Sequence, residues 1–184
     1  AKKPDALALI AFNETTKIIP ELIKAGIGPD KIQIYFTDGN CADYSKEFDK
    51  GVLQGVKCTY PGAELKDDFR KRMLSINPKL TEFTYGPESY DATVISALAA
   101  EAAGSDAGTE IAKELVGVTR DGEECTTFAD CKELIAQGTD IDYNGVSGPI
   151  DFNDTGSPSA ATIGIFQYKA DNTFENLDYI TGQI

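Results

Sequence analysis

Near the start of the chain, two apolar runs of strand length flank one segment of helical period. This arrangement restricts the fold more than any other stretch. Residues 7–12 form the first run, Asn13-Glu14-Thr15-Thr16 breaks it, an amphipathic segment continues to Gly26, and residues 32–36 form the second run, which stops on Thr37-Asp38-Gly39-Asn40. The spacing suits a parallel crossover and predicts a βαβ unit. Parallel strands direct their carboxyl ends the same way. The residues just past each strand, 13–16 and 37–40, are therefore expected on one rim, the edge at which open α/β sheets bind ligands.

A chain of 184 residues can bury a substantial core, and 41% hydrophobic with 26% charged residues is a globular composition. Seventeen basic against thirty acidic side chains give a formal charge of −13, which repels phosphate backbones and anionic lipid. Nucleic acid and membrane surfaces are thus poor partners. No apolar run is long enough to cross a bilayer, and the opening AKKPDALAL lacks the long apolar core of a signal peptide. We expect a water-soluble chain, with any export signal removed or never included.

Four cysteines, Cys41, Cys58, Cys125 and Cys131, permit three pairings. The sequence does not choose among them, although the sequential pairing is preferred, because Cys125 and Cys131 share one short segment and Cys41 and Cys58 flank the second strand's exit loop and the next strand. Disulfides place a protein outside the cytoplasm. A zinc site is the alternative, but neither cysteine pair has CxxC spacing and the chain has no histidine.

Three textures follow one another. Residues 6–12, 16–25, 32–36, a helix around 44–53, and 56–60 read as strand, helix, strand, helix, strand, part of a parallel sheet. Residues 65–77, 89–104, 109–117 and 128–137 read as helices, punctuated by Asn77-Pro78 and Gly86-Pro87. From Asp140 onward Gly, Asp, Asn and Pro are frequent, and residues 161–168, a turn at Ala170-Asp171-Asn172, and residues 176–180 form an antiparallel hairpin. The helical middle has no strands of its own and is expected to pack on a sheet from another segment or chain. The first region has few strands for a parallel sheet, which normally has both faces covered, so part of that sheet is expected upstream.

Four stretches resemble the amino-acid-binding type of extracytoplasmic solute receptor, the family that includes the branched-chain amino-acid-binding proteins of ABC importers. They are Asp5-Ala6-Leu7 through Phe12-Asn13-Glu14 with the helix to Gly26; Tyr35-Phe36-Thr37-Asp38-Gly39; Tyr90-Asp91-Ala92 with its alanine-rich helix to Gly104; and Tyr143-Asn144-Gly145-Val146-Ser147-Gly148-Pro149-Ile150-Asp151-Phe152. Their order and spacing match the C-terminal half of the family over nearly the whole chain. The resemblance implies an α/β, type I periplasmic-binding-protein fold, parallel sheets flanked by helices, with about half of the two-lobed structure present and a terminal β-hairpin. It implies that residues 1–70 finish the second lobe, 71–144 return to the first, and 145–184 cross back to the second. It further implies a missing N-terminal half of the same protein, a place in the periplasm or at the cell surface with a lipid anchor on that missing part, and an ABC permease as membrane partner.

Ligands of this family carry an α-ammonium and an α-carboxylate. A buried ammonium needs a carboxylate and neutral acceptors, since leaving it unpaired costs about several kcal/mol. By resemblance, Asp38 matches the acidic position that receives the ammonium; as a plain residue in Thr-Asp-Gly-Asn it is also a turn former. Phe12 falls near the family's aromatic wall, and Asn13 and Glu14 follow on the same rim, with Glu14 alternatively placed as an anion at a helix N-terminus. Tyr90, at a helix start near an expected crossing, is either a ligand contact or core. The family binds the carboxylate with loops of the first half of the first lobe, which lie outside this sequence.

Other chemistries fit less well. Asp140, Asp142, Asn144 and Gly145 imitate the start of a calcium loop with Asp151 at its twelfth position, but a turn-rich stretch follows where a helix is required. The absence of histidine removes the common base of nucleophile systems, and no phosphate or dinucleotide loop is present. The expected function is a non-enzymatic solute receptor with a small zwitterionic ligand and no catalytic residue, metal or cofactor. A sensory ligand-binding domain of the same fold and a carboxylate-based hydrolase are the alternatives.

Overall fold

Residues 4–148 and 150–183 are described by a computed structural model. In chain order the elements are β1 (Ala6–Leu9), α1 (Thr15–Lys24), β2 (Gln33–Phe36), a 3-10 turn (Asp38–Asn40), β3 (Lys57–Pro61), α2 (Asp67–Ile76), α3 (Gly86–Ala103), α4 (Gly108–Glu114), β4 (Glu123–Cys125), α5 (Phe128–Ala136), β5 (Ile141–Tyr143), β6 (Ala160–Tyr168) and β7 (Phe174–Gln183). The chain divides into two compact units. One runs to Pro61 and includes Ile163–Ile180; the other spans Gly62–Thr162 with the residues from Thr181.

In the first unit the expected βαβ pattern forms. β1 and β2 are parallel, from Ala6 opposite Gln33 to Leu9 opposite Phe36, and β2 pairs in parallel with β3 through Tyr35 and Phe36. β3 then pairs antiparallel with β6, and the strand order is β1-β2-β3-β6-β7. α1 ends in the left-handed glycine Gly26, where the Gly26 and Ile27 amides donate to the Ile23 and Leu22 carbonyls at 3.0 Å. Alternation along the strands aims Ile34, Phe36 and Cys58 into a core closed by Ile19 of α1, by Leu53 and by Tyr168. On the opposite face Ala8, Tyr35 and Thr59 are exposed.

Two sequence expectations fail here. β1 ends at Leu9 rather than at residue 12, leaving Ile10 and Phe12 81% and 68% exposed. Residues 44–53 are a succession of turns, not a helix. Several backbone groups that a helix would pair internally are taken by the hairpin turn. The Tyr44 and Gly51 amides donate to the Asn172 and Ala170 carbonyls, the Leu53 amide donates to Asn172 Oδ1, and Asn172 Nδ2 donates to the Phe48 and Asp49 carbonyls.

The second unit is organised by α3, whose Asp91, Val94, Ile95, Leu98 and Ala99 repeat at three and four residues and are buried. Contrary to expectation, this region has strands of its own: β4 and β5 form a parallel pair, Glu123 opposite Ile141 to Cys125 opposite Tyr143. The stretch that imitates a calcium loop is thus partly strand, with Ile141 and Tyr143 buried in the core. The disulfides are Cys41 to Cys58 in the first unit and Cys125 to Cys131 in the second, the sequential pairing.

Candidate ligand-binding rim

The loops that leave β1 and β2 meet. A Cβ placed on Gly39 would lie 2.7 Å from a ring carbon of Phe12 and 2.8 Å from the Ala11 carbonyl oxygen, so only a residue without a side chain lets the two strand exits touch. Asp38 precedes this glycine and Phe12 flanks it, and both are exposed. Asn13 and Glu14 continue the same edge. The Asn13 carbonyl accepts the Thr16 amide and hydroxyl, and Glu14 occupies the N-cap position of α1 without a side-chain capping bond. Phe12, Asn13, Glu14 and Asp38 therefore share one rim.

Behind the rim is Asn40, which is fully buried. Its Nδ2 donates to the Leu9 carbonyl at 3.0 Å, at the end of β1, and its Oδ1 accepts the Thr37 amide at 2.9 Å, at the end of β2. The loop beyond is fixed in turn. The Cys41 amide donates to the Asp38 carbonyl, the Tyr60 hydroxyl donates to the Cys41 carbonyl at 2.6 Å, and the Tyr168 hydroxyl accepts the Ala42 amide at 2.9 Å and donates to the Ala42 carbonyl at 2.8 Å. Burial holds the Tyr168 phenol well above its ordinary range and also raises Tyr44, so both stay protonated donors at neutral pH.

Tyr90 belongs to the second unit. Its ring is partly buried, 5.3 Å from Phe69 by centroids, with the Arg72 guanidinium 4.6 Å over it. Its neighbour Asp91 went unsingled in the sequence. It is 2% exposed and accepts from the Tyr143 hydroxyl at 2.8 Å and the Ser147 amide at 2.7 Å. A Cβ on Gly145 would collide with this carboxylate. The Tyr90-Asp91-Ala92 and Tyr143-to-Phe152 stretches are thus joined by one buried acid, and burial together with the Asp91 bond pushes the Tyr143 phenol upward. Asn40 was likewise missed; its signal was the Thr37-x-x-Asn40 capping box.

Acid-rich ground also surrounds Asp142. Burial, then the charges of Asp151, Glu124 and Asp121, raise its carboxyl above the ordinary range, and its Oδ1 is buried without a hydrogen-bond donor among the described residues. Among the described residues no group of three or more His, Cys, Asp or Glu side chains is arranged to hold a metal ion.

No protein-family model matches the chain, and no curated protein matches it. Among solved structures it is similar to the leucine-binding protein LivK of Thermotoga maritima, with a TM-score of 0.65 and 18% identity over 96% of this chain and 45% of that one. The chain spans less than half the length of that protein. Its fold is that of a type I periplasmic-binding protein: a mixed α/β structure with a parallel-rich sheet flanked by helices, at about half the neighbour's length.

Proposed function

We propose that this chain is the ligand-bearing part of an extracytoplasmic solute receptor that takes an amino acid or a similar small zwitterion and serves an ABC importer. The observation that carries the proposal is the meeting of Asp38 and Phe12 on one rim, at the carboxyl ends of two parallel strands. Asp38 neutralises the incoming ammonium, and the Phe12 ring covers apolar parts of the ligand. The ligand's carboxylate is received by groups outside the rim. The similarity to a leucine-binding protein supports a binding role over an enzymatic one, and the two disulfides support a place outside the cytoplasm. Binding energy then shifts the receptor between open and closed populations, which a permease can tell apart.

The test is calorimetric titration of the full-length protein with L-leucine, other neutral L-amino acids, and 4-methylpentanoate, which is leucine without its amine. We expect amino acids to bind and the amine-free acid to bind at least about tenfold more weakly, the ratio that corresponds to 1.4 kcal/mol. Absence of binding across the amino acids, or equal affinity for 4-methylpentanoate, overturns the proposal.

A further inference from the structure

We infer that Asn40 is the positioning residue of the rim, and that the Tyr168 hydroxyl, 128 residues further along the chain, completes the clamp that holds Asp38 beside Phe12. The inference rests on the ligand function proposed above and adds to it the groups through which the Asp38 carboxylate is aimed.

One primary amide bridges two strand exits. Asn40 Nδ2 reaches the Leu9 carbonyl and Oδ1 takes the Thr37 amide, so the last residue of β1 and the first residue past β2 are tied to the same side chain. Asp38 lies inside the turn that this amide closes, where the Asn40 amide donates to the Thr37 carbonyl and the Cys41 amide to the Asp38 carbonyl, both at 3.2 Å. Asn40 is itself held from outside: its carbonyl accepts the Tyr44 hydroxyl at 3.2 Å and lies 3.3 Å from the Tyr168 hydroxyl, which also brackets both backbone groups of Ala42.

The amide serves two backbone groups, the Leu9 carbonyl and the Thr37 amide, which an apolar side chain of the same shape would leave without a partner. Its value is directional. Hydrogen bonds lose strength steeply with angle, so an amide with both ends engaged admits one register of the β2 exit against the β1 exit. Gly39 allows the loops to touch, and Asn40 determines how. The Cys41 to Cys58 disulfide follows immediately and ties the same loop to β3.

Two variants and two readouts decide the matter. Asn40→Ala removes the bridge; Tyr168→Phe removes one oxygen and leaves the ring packing against Phe36 intact, so it remains informative if Asn40→Ala folds poorly. Each is combined with Asp38→Asn and titrated with L-leucine. We expect Tyr168→Phe to weaken L-leucine by about fivefold and Asn40→Ala by more, and both losses to shrink to within about twofold in the Asp38→Asn background, because a residue that acts through Asp38 has nothing left to aim. In the ligand-free protein, the Asn40 and Cys41 amides should exchange with solvent about tenfold faster while the Ile19 and Ile34 amides stay unchanged. Equal losses with and without the Asp38 carboxylate, or unchanged exchange at Asn40 and Cys41, overturn the clamp. If wild type binds none of the amino acids, or Asp38→Asn alone has no effect, the ligand function falls instead, and the exchange rates still judge the clamp; if another amino acid binds better than L-leucine, it takes the place of L-leucine in the same titrations.

Discussion

Replacing Gly39 by alanine tests whether the two strand exits touch. The new Cβ would be 2.7 and 2.9 Å from two ring carbons of Phe12 and 2.8 Å from the Ala11 carbonyl oxygen. The Phe12 ring is exposed and can swing aside at little cost, but Ala11 is only 4% exposed and its carbonyl belongs to the backbone. That contact must open by several tenths of an ångström. Overpacking of this kind costs about 1–3 kcal/mol. Gly39 does not require a left-handed backbone, so the alanine also restricts the unfolded chain, which returns about 0.4–1 kcal/mol. We therefore expect Gly39→Ala to be destabilising by about 1 kcal/mol. Gly108→Ala is the control: nothing lies within 4 Å of its Cβ, and at the first position of α4 the substitution should stabilise by about 0.5–1 kcal/mol. Urea unfolding followed by circular dichroism measures both. The two variants should differ by about 1.5–2 kcal/mol; equal stability would show that the loops leave room between them, contrary to the contact from which the rim is built.

Further consequences can be checked on the same material. Serine in place of both Cys41 and Cys58 opens a loop with a separation of 17 residues and should cost about 3 kcal/mol, against about 2 kcal/mol for the pair Cys125 and Cys131 with a separation of 6, measured by urea unfolding under oxidising conditions. Asp91→Ala leaves the Tyr143 hydroxyl and the Ser147 amide without their buried acceptor and should cost about 3 kcal/mol, read from the same unfolding curves. In the folded protein the Asp142 carboxyl is raised above the ordinary aspartate value of 3.8, so its ionised form opposes folding and stability is lost as pH rises through the folded value. Asp142→Asn should raise the thermal midpoint at neutral pH, and the gain should vanish as pH falls below 3.8; a gain that persists in acid would place its origin elsewhere.

The elements legible in the sequence are those whose stability is local. α1, α3 and the hairpin strands announce themselves by period and by punctuation such as Gly26, Pro87 and Asn172. The rim was legible for a related reason: parallel strands share a direction, so two strand exits identify one edge. What was hidden depends on partners far along the chain. Residues 44–53 carry a helical pattern, yet Asn172 and Ala170 take several backbone groups that a helix would use. β4 and β5 are three residues each and include Glu123, Glu124 and Asp142, too short and too polar to show an alternation. Asn40 and Asp91 do not stand out in the sequence, because nothing near them reveals that Leu9, Tyr168, Tyr143 and Ser147 converge on them.

The most direct measurement is the affinity of the full-length protein for the best-binding L-amino acid before and after Asp38→Asn, which preserves the side chain's shape and removes its charge. An ammonium that loses its anion should bind more weakly by about 2–5 kcal/mol, at least about thirtyfold in the dissociation constant. Unchanged affinity, in a variant that unfolds at the same urea concentration as wild type, would contradict the assignment of Asp38 as the group that receives the ligand's positive charge.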